Sequence, residues 1–142
     1  MKTIKRLLDE KGAEVSTIGP DASVFDAIRK MAAVNIGSLV VIDDGKIVGI
    51  VTERHYARNV ILKGKSSPET PVSEIMSTRV VCARPDQTVE ECMAVMTDKG
   101  VRHLPVLDHK QLVGMISIGD LVKSIISGQQ FIIEQLEHYI QG

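Results

Sequence analysis

The run Gly49-Ile50-Val51-Thr52-Glu53-Arg54-His55 returns in kind, 65 positions later, as Gly114-Met115-Ile116-Ser117-Ile118-Gly119-Asp120. The same offset, without a gap, pairs Val15 with Val80, Pro20 with Pro85, Asp21 with Asp86 and Val24 with Val89. It goes on to pair Met31 with Met96, Leu39 with Leu104, Val41 with Val106 and Asp43 with Asp108. Even the helix starts correspond, because Ser23 and Asp26 are answered by Thr88 and Glu91. A repeat that keeps caps, turns and strand ends in one register constrains the fold more than any composition does. Each copy is too small to bury both faces of a sheet by itself. The expectation is therefore α/β, with two β-α-β-β-α repeats packed sheet to sheet about a pseudo-twofold axis.

Taken in order, Thr3 to Leu8 reads as a short helix with Asp9-Glu10-Lys11-Gly12 as its polar exit. Val15 to Ile18 is a short strand closed by Gly19-Pro20. After the Ser23 cap, Val24, Ala27, Ile28, Met31 and Ala32 recur at helical spacing until Asn35-Ile36-Gly37. Two apolar strands flank Asp43-Asp44-Gly45-Lys46, a hairpin turn. From Thr52 the pattern is helical, with Tyr56, Ala57, Val60 and Ile61 on one side. The polar, Pro-containing stretch Lys63 to Pro71 is the most loop-like in the chain. The division expected is a first repeat over 1–62, a linker over 63–71, a second repeat over 72–128 and a C-terminal amphipathic helix over 129–142. That last helix aligns Ile132, Ile133, Leu136, Tyr139 and Ile140 on one face.

Composition matters here chiefly for what it excludes. Among 142 residues the formal charge is −1 and aromatic residues make up 3%, with no Trp. A nucleic-acid interface would need a basic face or stacking platforms, so none is expected. No apolar run reaches the roughly 18 residues of a membrane span, and Met1 to Arg6 lacks the apolar core of a signal peptide. Cys82 and Cys92 have no metal-like spacing, and the four histidines, His55, His103, His109 and His138, are scattered. No dinucleotide fingerprint, P-loop or nucleophile elbow is present. A cytoplasmic protein with reduced thiols, no metal and no catalytic residues is the expectation.

The repeated run does carry chemistry. Each copy is an apolar strand that ends in a hydroxyl residue, Thr52 or Ser117, and enters a helix three positions before His55 or Asp120. The start of a helix offers backbone N–H groups suited to a phosphate. A carboxylate in that first turn can accept two hydrogen bonds from a vicinal diol. Phosphate donors beside a diol acceptor suggest a nucleotide.

Two copies of strand-turn-strand followed by G-h-h-[ST]-x-x-[DH], with Val101-Arg102-His103-Leu104-Pro105-Val106 in the second, resemble a tandem pair of cystathionine beta-synthase (CBS) domains. The resemblance covers residues 1–62 and 72–128. It implies a stand-alone regulatory pair, dimerised with itself, that senses AMP, ADP, ATP, NAD or S-adenosylmethionine and signals to a downstream protein. On this resemblance Asp120 takes the ribose hydroxyls and Ser117 meets phosphate. Arg102 and His103 aim at phosphate, while Cys82, Ala83, Pro85 and Pro105 line the adenine. In the first copy Thr52, Arg54, His55, Gly37, Ser38 and Ile18 hold the matching places. His55 departs from the pattern, since a neutral imidazole cannot hold a diol as a carboxylate does. The two clefts are thus expected to be unequal, with the Asp120 cleft the better adenosine site. Two other readings stay open: a scaffold whose clefts are vestigial, and a nucleotide hydrolase with His103 as general base.

Overall fold

Hydroxyl side chains start the helices, Ser23 and Thr88 as their spacing predicts, and Thr3, expected as the first helical residue, as a cap instead. Thr3 Oγ1 accepts from the Arg6 N–H at 3.2 Å, Ser23 Oγ from Asp26 at 3.0 Å and Thr88 Oγ1 from Glu91 at 3.1 Å. Each satisfies a donor that a first helical turn leaves without an intrahelical acceptor. The computed structural model describes residues 1–127. In chain order these form α1 (Ile4–Lys11), β1 (Thr17–Ile18), α2 (Val24–Val34), β2 (Ser38–Asp43), β3 (Lys46–Thr52) and α3 (Glu53–Tyr56). There follow α4 (Val89–Lys99), β4 (His103–Asp108), β5 (Gln111–Ser117) and a helix α5 over 118–127. The amphipathic helix expected over 129–142 lies outside the described residues.

The chain divides into two compact units, Glu14–Val81 on the one hand and Met1–Ala13 with Cys82 onward on the other. This division in space differs from the expected repeats at two places: α1, expected within the first repeat, is counted with the second, and the 3-10 turn Val72–Glu74, expected within the second, is counted with the first.

In the unit Glu14–Val81 the sheet order is β1-β2-β3, with β1 parallel and β3 antiparallel to β2. Val24, Ala27 and Met31 of α2 meet Leu39, Val41, Val51 and Val60 in its core, and Val72 and Ile75 close it. Beyond α3 the chain continues as a π-helical turn, Ala57–Ile61. Its wider winding, with Leu62 N–H donating to Ala57 O at 3.0 Å, rotates the helix face. Val60 stays fully buried, but Ile61 is 57% exposed, so the apolar face expected from Tyr56 to Ile61 splits.

In the other unit β4 and β5 form an antiparallel pair, and the expected first strand shrinks to a single parallel bridge between Ala83 and Val106. Pro105 explains the loss. Its counterpart Val40 donates its N–H to Ser16 O at 3.2 Å, a bond a proline cannot make. Ile4, Leu7 and Leu8 of α1 are buried here with Val89, Cys92, Met96, Leu104, Ile116 and Leu121. Helix α1 also runs one turn past the expected Leu8, to Lys11, and ends at Gly12, whose positive φ and N–H bond to Leu8 O at 2.8 Å close the last turn.

Both hairpins turn through two residues of positive φ, Asp44-Gly45 and His109-Lys110. Their ladders shift register at the same repeat position, between Val41 and Ile42 and between Val106 and Leu107.

Candidate functional site

At the junction of β5 and α5, Ser117 and Asp120 bind each other reciprocally. Asp120 N–H donates to Ser117 Oγ at 3.1 Å, and Ser117 N–H donates to Asp120 Oδ2 at 2.8 Å. This is a capping box with an aspartate in place of the usual glutamate. A third donor reaches the same oxygen from α1: Lys11 Nζ lies 2.9 Å from Asp120 Oδ2 and 2.7 Å from the Met115 carbonyl. Burial pushes the Asp120 carboxyl up. The Lys11 ammonium together with the Ser117 amide and hydroxyl outweighs it and holds the group below its ordinary value.

A cavity of about 390 Å3 opens beside this carboxylate, within the roughly 300–1,000 Å3 span of small-molecule sites. Asp120, Lys123, Ser124 and Ser127 of α5 line it from one side, and Lys2, Leu7, Glu10 and Lys11 from the other. Three ammonium groups around two carboxylates give the cavity a cationic rim.

None of the remaining candidates of the second repeat is among the residues that line this cavity; His103 and Pro105 belong to β4, Arg102 just precedes it, and Cys82, Ala83 and Pro85 run beside it. His103 pairs with Ser117 across the β4–β5 ladder, and Pro105 pairs with Met115. The Arg102 carbonyl accepts from Ile118 N–H at 2.9 Å, which fixes the entry into α5. Ala83 is buried against β4, donating to Pro105 O at 2.8 Å, and the Pro85 carbonyl accepts from Lys5 N–H at 2.9 Å. Cys82 is half-buried, and burial raises its thiol, as it raises that of Cys92 to about 11. Both thiols are free, and neither is poised for reaction.

The first repeat builds the same junction from different chemistry. His55 N–H donates to Thr52 Oγ1 at 3.2 Å, and Thr52 N–H donates to His55 Nδ1 at 3.1 Å. An Nδ1 that accepts leaves the proton of the neutral ring on Nε2. Burial, and after it the charges of Arg54 and Arg58, lowers the His55 pKa and favours that neutral form. The ring's one acceptor is thereby spent on the cap, so a diol finds only a donor. Around it Ser38 is buried and pairs with Thr52, the Gly37 carbonyl accepts from Glu53 N–H at 3.1 Å, and Ile18 pairs with Val41. Arg54 stands exposed in the first turn of α3.

Sequence reasoning missed Lys11 and Lys123. Lys123 was within reach, standing three residues after Asp120 and so on the same helix face. Lys11 left no local signal, since 109 positions separate it from its partner. Among the described residues no group of His, Cys, Asp and Glu could hold a metal ion, and no helix is long and apolar enough to cross a membrane.

The family model described as CBS domain matches the chain twice, over residues 12–61 and 72–127. The chain is 39% identical over 127 residues to CBSX3, a mitochondrial CBS domain-containing protein of Arabidopsis thaliana. That alignment covers 86% of this chain but only 62% of the relative, whose full length therefore exceeds it considerably. Two solved structures are similar over most of the chain. The CBS domain protein NE2398 is 53% identical with a TM-score of 0.84, covering 88% of this chain and 98% of that one. A protein with CBS domains from Burkholderia ambifaria MC40-6 is 49% identical with a TM-score of 0.87, covering 90% and 96%.

Proposed function

This chain belongs to the CBS domain family, whose paired domains are regulatory modules, and we propose that it senses an adenine nucleotide at Asp120. The observation that carries the reading is the half-buried Asp120 carboxylate, held ionised beside a cavity with a cationic rim. Asp120 would accept the ribose hydroxyls, and Ser117, at the start of α5, would meet phosphate. His103, at the start of the adjoining strand, and Arg102, just before it, would add to the phosphate contacts, with Cys82, Ala83, Pro85 and Pro105 against the base. The first-repeat residues Ile18, Gly37, Ser38, Thr52, Arg54 and His55 form a weaker site, because His55 has no acceptor left for a diol. AMP, ADP, ATP and NAD all bring the required diol and phosphate.

The reading includes a homodimer and a downstream protein, and it assigns the chain no catalysis. Ligand would act by its differential affinity for two conformations.

A thermal-shift panel with AMP, ADP, ATP, NAD and S-adenosylmethionine tests the proposal. A ligand of the folded state raises the melting temperature by mass action, by roughly 2.7 kcal/mol of added stability at a hundredfold excess over Kd. What favours a vestigial cleft instead is that Lys11 already occupies Asp120. A panel without any shift would establish that second reading, and turnover of ATP or NAD would point to a hydrolase.

A further inference from the structure

We infer that Lys11 determines the specificity of the Asp120 site by exchanging partners: it holds the carboxylate until a diol takes its place, and then passes to the ligand's phosphate. The inference rests on the nucleotide reading of Asp120 and adds to it a residue from outside the repeated motif. Lone pairs decide the point. A carboxylate oxygen has about two acceptor positions, and Asp120 Oδ2 spends both, on Ser117 N–H at 2.8 Å and on Lys11 Nζ at 2.9 Å. A diol gripped through both carboxylate oxygens needs one of those positions back. The Ser117 amide is fixed by the strand end and helix start, so it cannot leave without opening the cap. The Lys11 ammonium sits on a flexible four-carbon stem and is a third exposed, so it can leave.

An ammonium released at that spot does not go far. It stays tethered to α1, whose N-terminal end is fixed by Ile4 N–H on Gln87 O at 2.8 Å and Lys5 N–H on Pro85 O at 2.9 Å. Leu8, one turn before Lys11, lies where a side chain at Gly114 would be, which keeps α1 close to β5. The charge therefore remains at the rim of the cavity, with Lys123 and the Lys2–Glu10 ion pair lining the same space. A ligand that takes the diol position but brings no anion deprives the ammonium of its charged partner and leaves it the neutral Met115 carbonyl at 2.7 Å. One that brings a phosphate restores a charge-assisted contact. The site thus discriminates for AMP against adenosine, and against a cationic sulfonium nucleoside.

Calorimetric titration of AMP and of adenosine into the full chain, its Lys11→Met variant and its Lys11→Arg variant tests this. Wild type is expected to prefer AMP, and Lys11→Met to lower that preference by roughly tenfold. Part of the change should be a gain in adenosine affinity, because the competitor for Asp120 is gone. Lys11→Arg keeps the charge and should keep most of the preference, which separates charge from loss of packing. An unchanged AMP-to-adenosine ratio in Lys11→Met would overturn the inference alone. Failure of wild type to bind either compound would overturn the underlying reading and the inference with it.

Discussion

His55 and Asp120 do the same mechanical work with different chemistry, since each returns a hydrogen bond to the residue that caps it. The difference shows on titration. His55 is held below its ordinary value by burial and by Arg54 and Arg58. As pH falls, the unfolded chain takes up this proton near pH 6.5 while the folded protein does so only at lower pH. Its contribution to stability is therefore complete above about pH 6.5 and declines as pH drops through that value. His55→Gln keeps a capping acceptor without a titrating ring. The urea midpoint of that variant should change less than that of wild type between roughly pH 7.5 and 5.5, and an equal change would exclude His55 as a source of acid sensitivity. Lys110 offers a second case. It sits at φ 67° in a two-residue hairpin where the first repeat has Gly45. A side chain in that region costs on the order of 1 kcal/mol, so Lys110→Gly should raise the melting temperature by a few degrees; a decrease would mean that the lysine makes a contact outweighing its backbone strain.

At the scale of elements, two glycines at the same repeat position admit a foreign segment against a strand. A Cβ at Gly49 would stand 2.6 Å from Met76 Sδ and 2.9 Å from the Ser77 carbonyl, and one at Gly114 would stand 2.7 Å from both Leu8 methyl carbons. Overpacking of this kind costs roughly 1–3 kcal/mol. Ser77 is pinned to Ile50 by two backbone bonds, of 3.0 and 2.9 Å, whereas Leu8 is a flexible side chain. Denaturant melts should therefore find Gly49→Ala more destabilising than Gly114→Ala, and the Gly114→Ala loss should shrink when Leu8 is also shortened to Ala. The reverse order would mean that α1 resists displacement more than the Ser77 bridge does. These contacts also mark where sequence reasoning stops. Caps at Ser23 and Thr88 were legible because the bond closes within three residues, whereas Thr52 and Ser117 read in the sequence as phosphate donors and not as caps. The hairpins were legible because turn and strand alternate locally. The short bridge at Ala83 could have been read from Pro105, but the docking of α1 beside the second repeat depends on packing between distant segments and left no periodic trace.

Over the whole chain, the 65-residue offset gives each unit the same frame and leaves the two junctions chemically unlike. One ends in an imidazole whose acceptor is spent; the other ends in a carboxylate on which Ser117 and Lys11 converge. The family and fold followed from the doubled motif, whereas the cationic dressing of the cavity, Lys11 above all, emerged only from the folded arrangement. The account as a whole turns on Asp120 as the sugar-binding group. Calorimetric titration of AMP into wild type and Asp120→Ala measures this most directly. The account predicts saturable binding in wild type and a loss of roughly tenfold to a hundredfold in the variant, the worth of one or two charge-assisted hydrogen bonds. Equal affinity in the two proteins would contradict it.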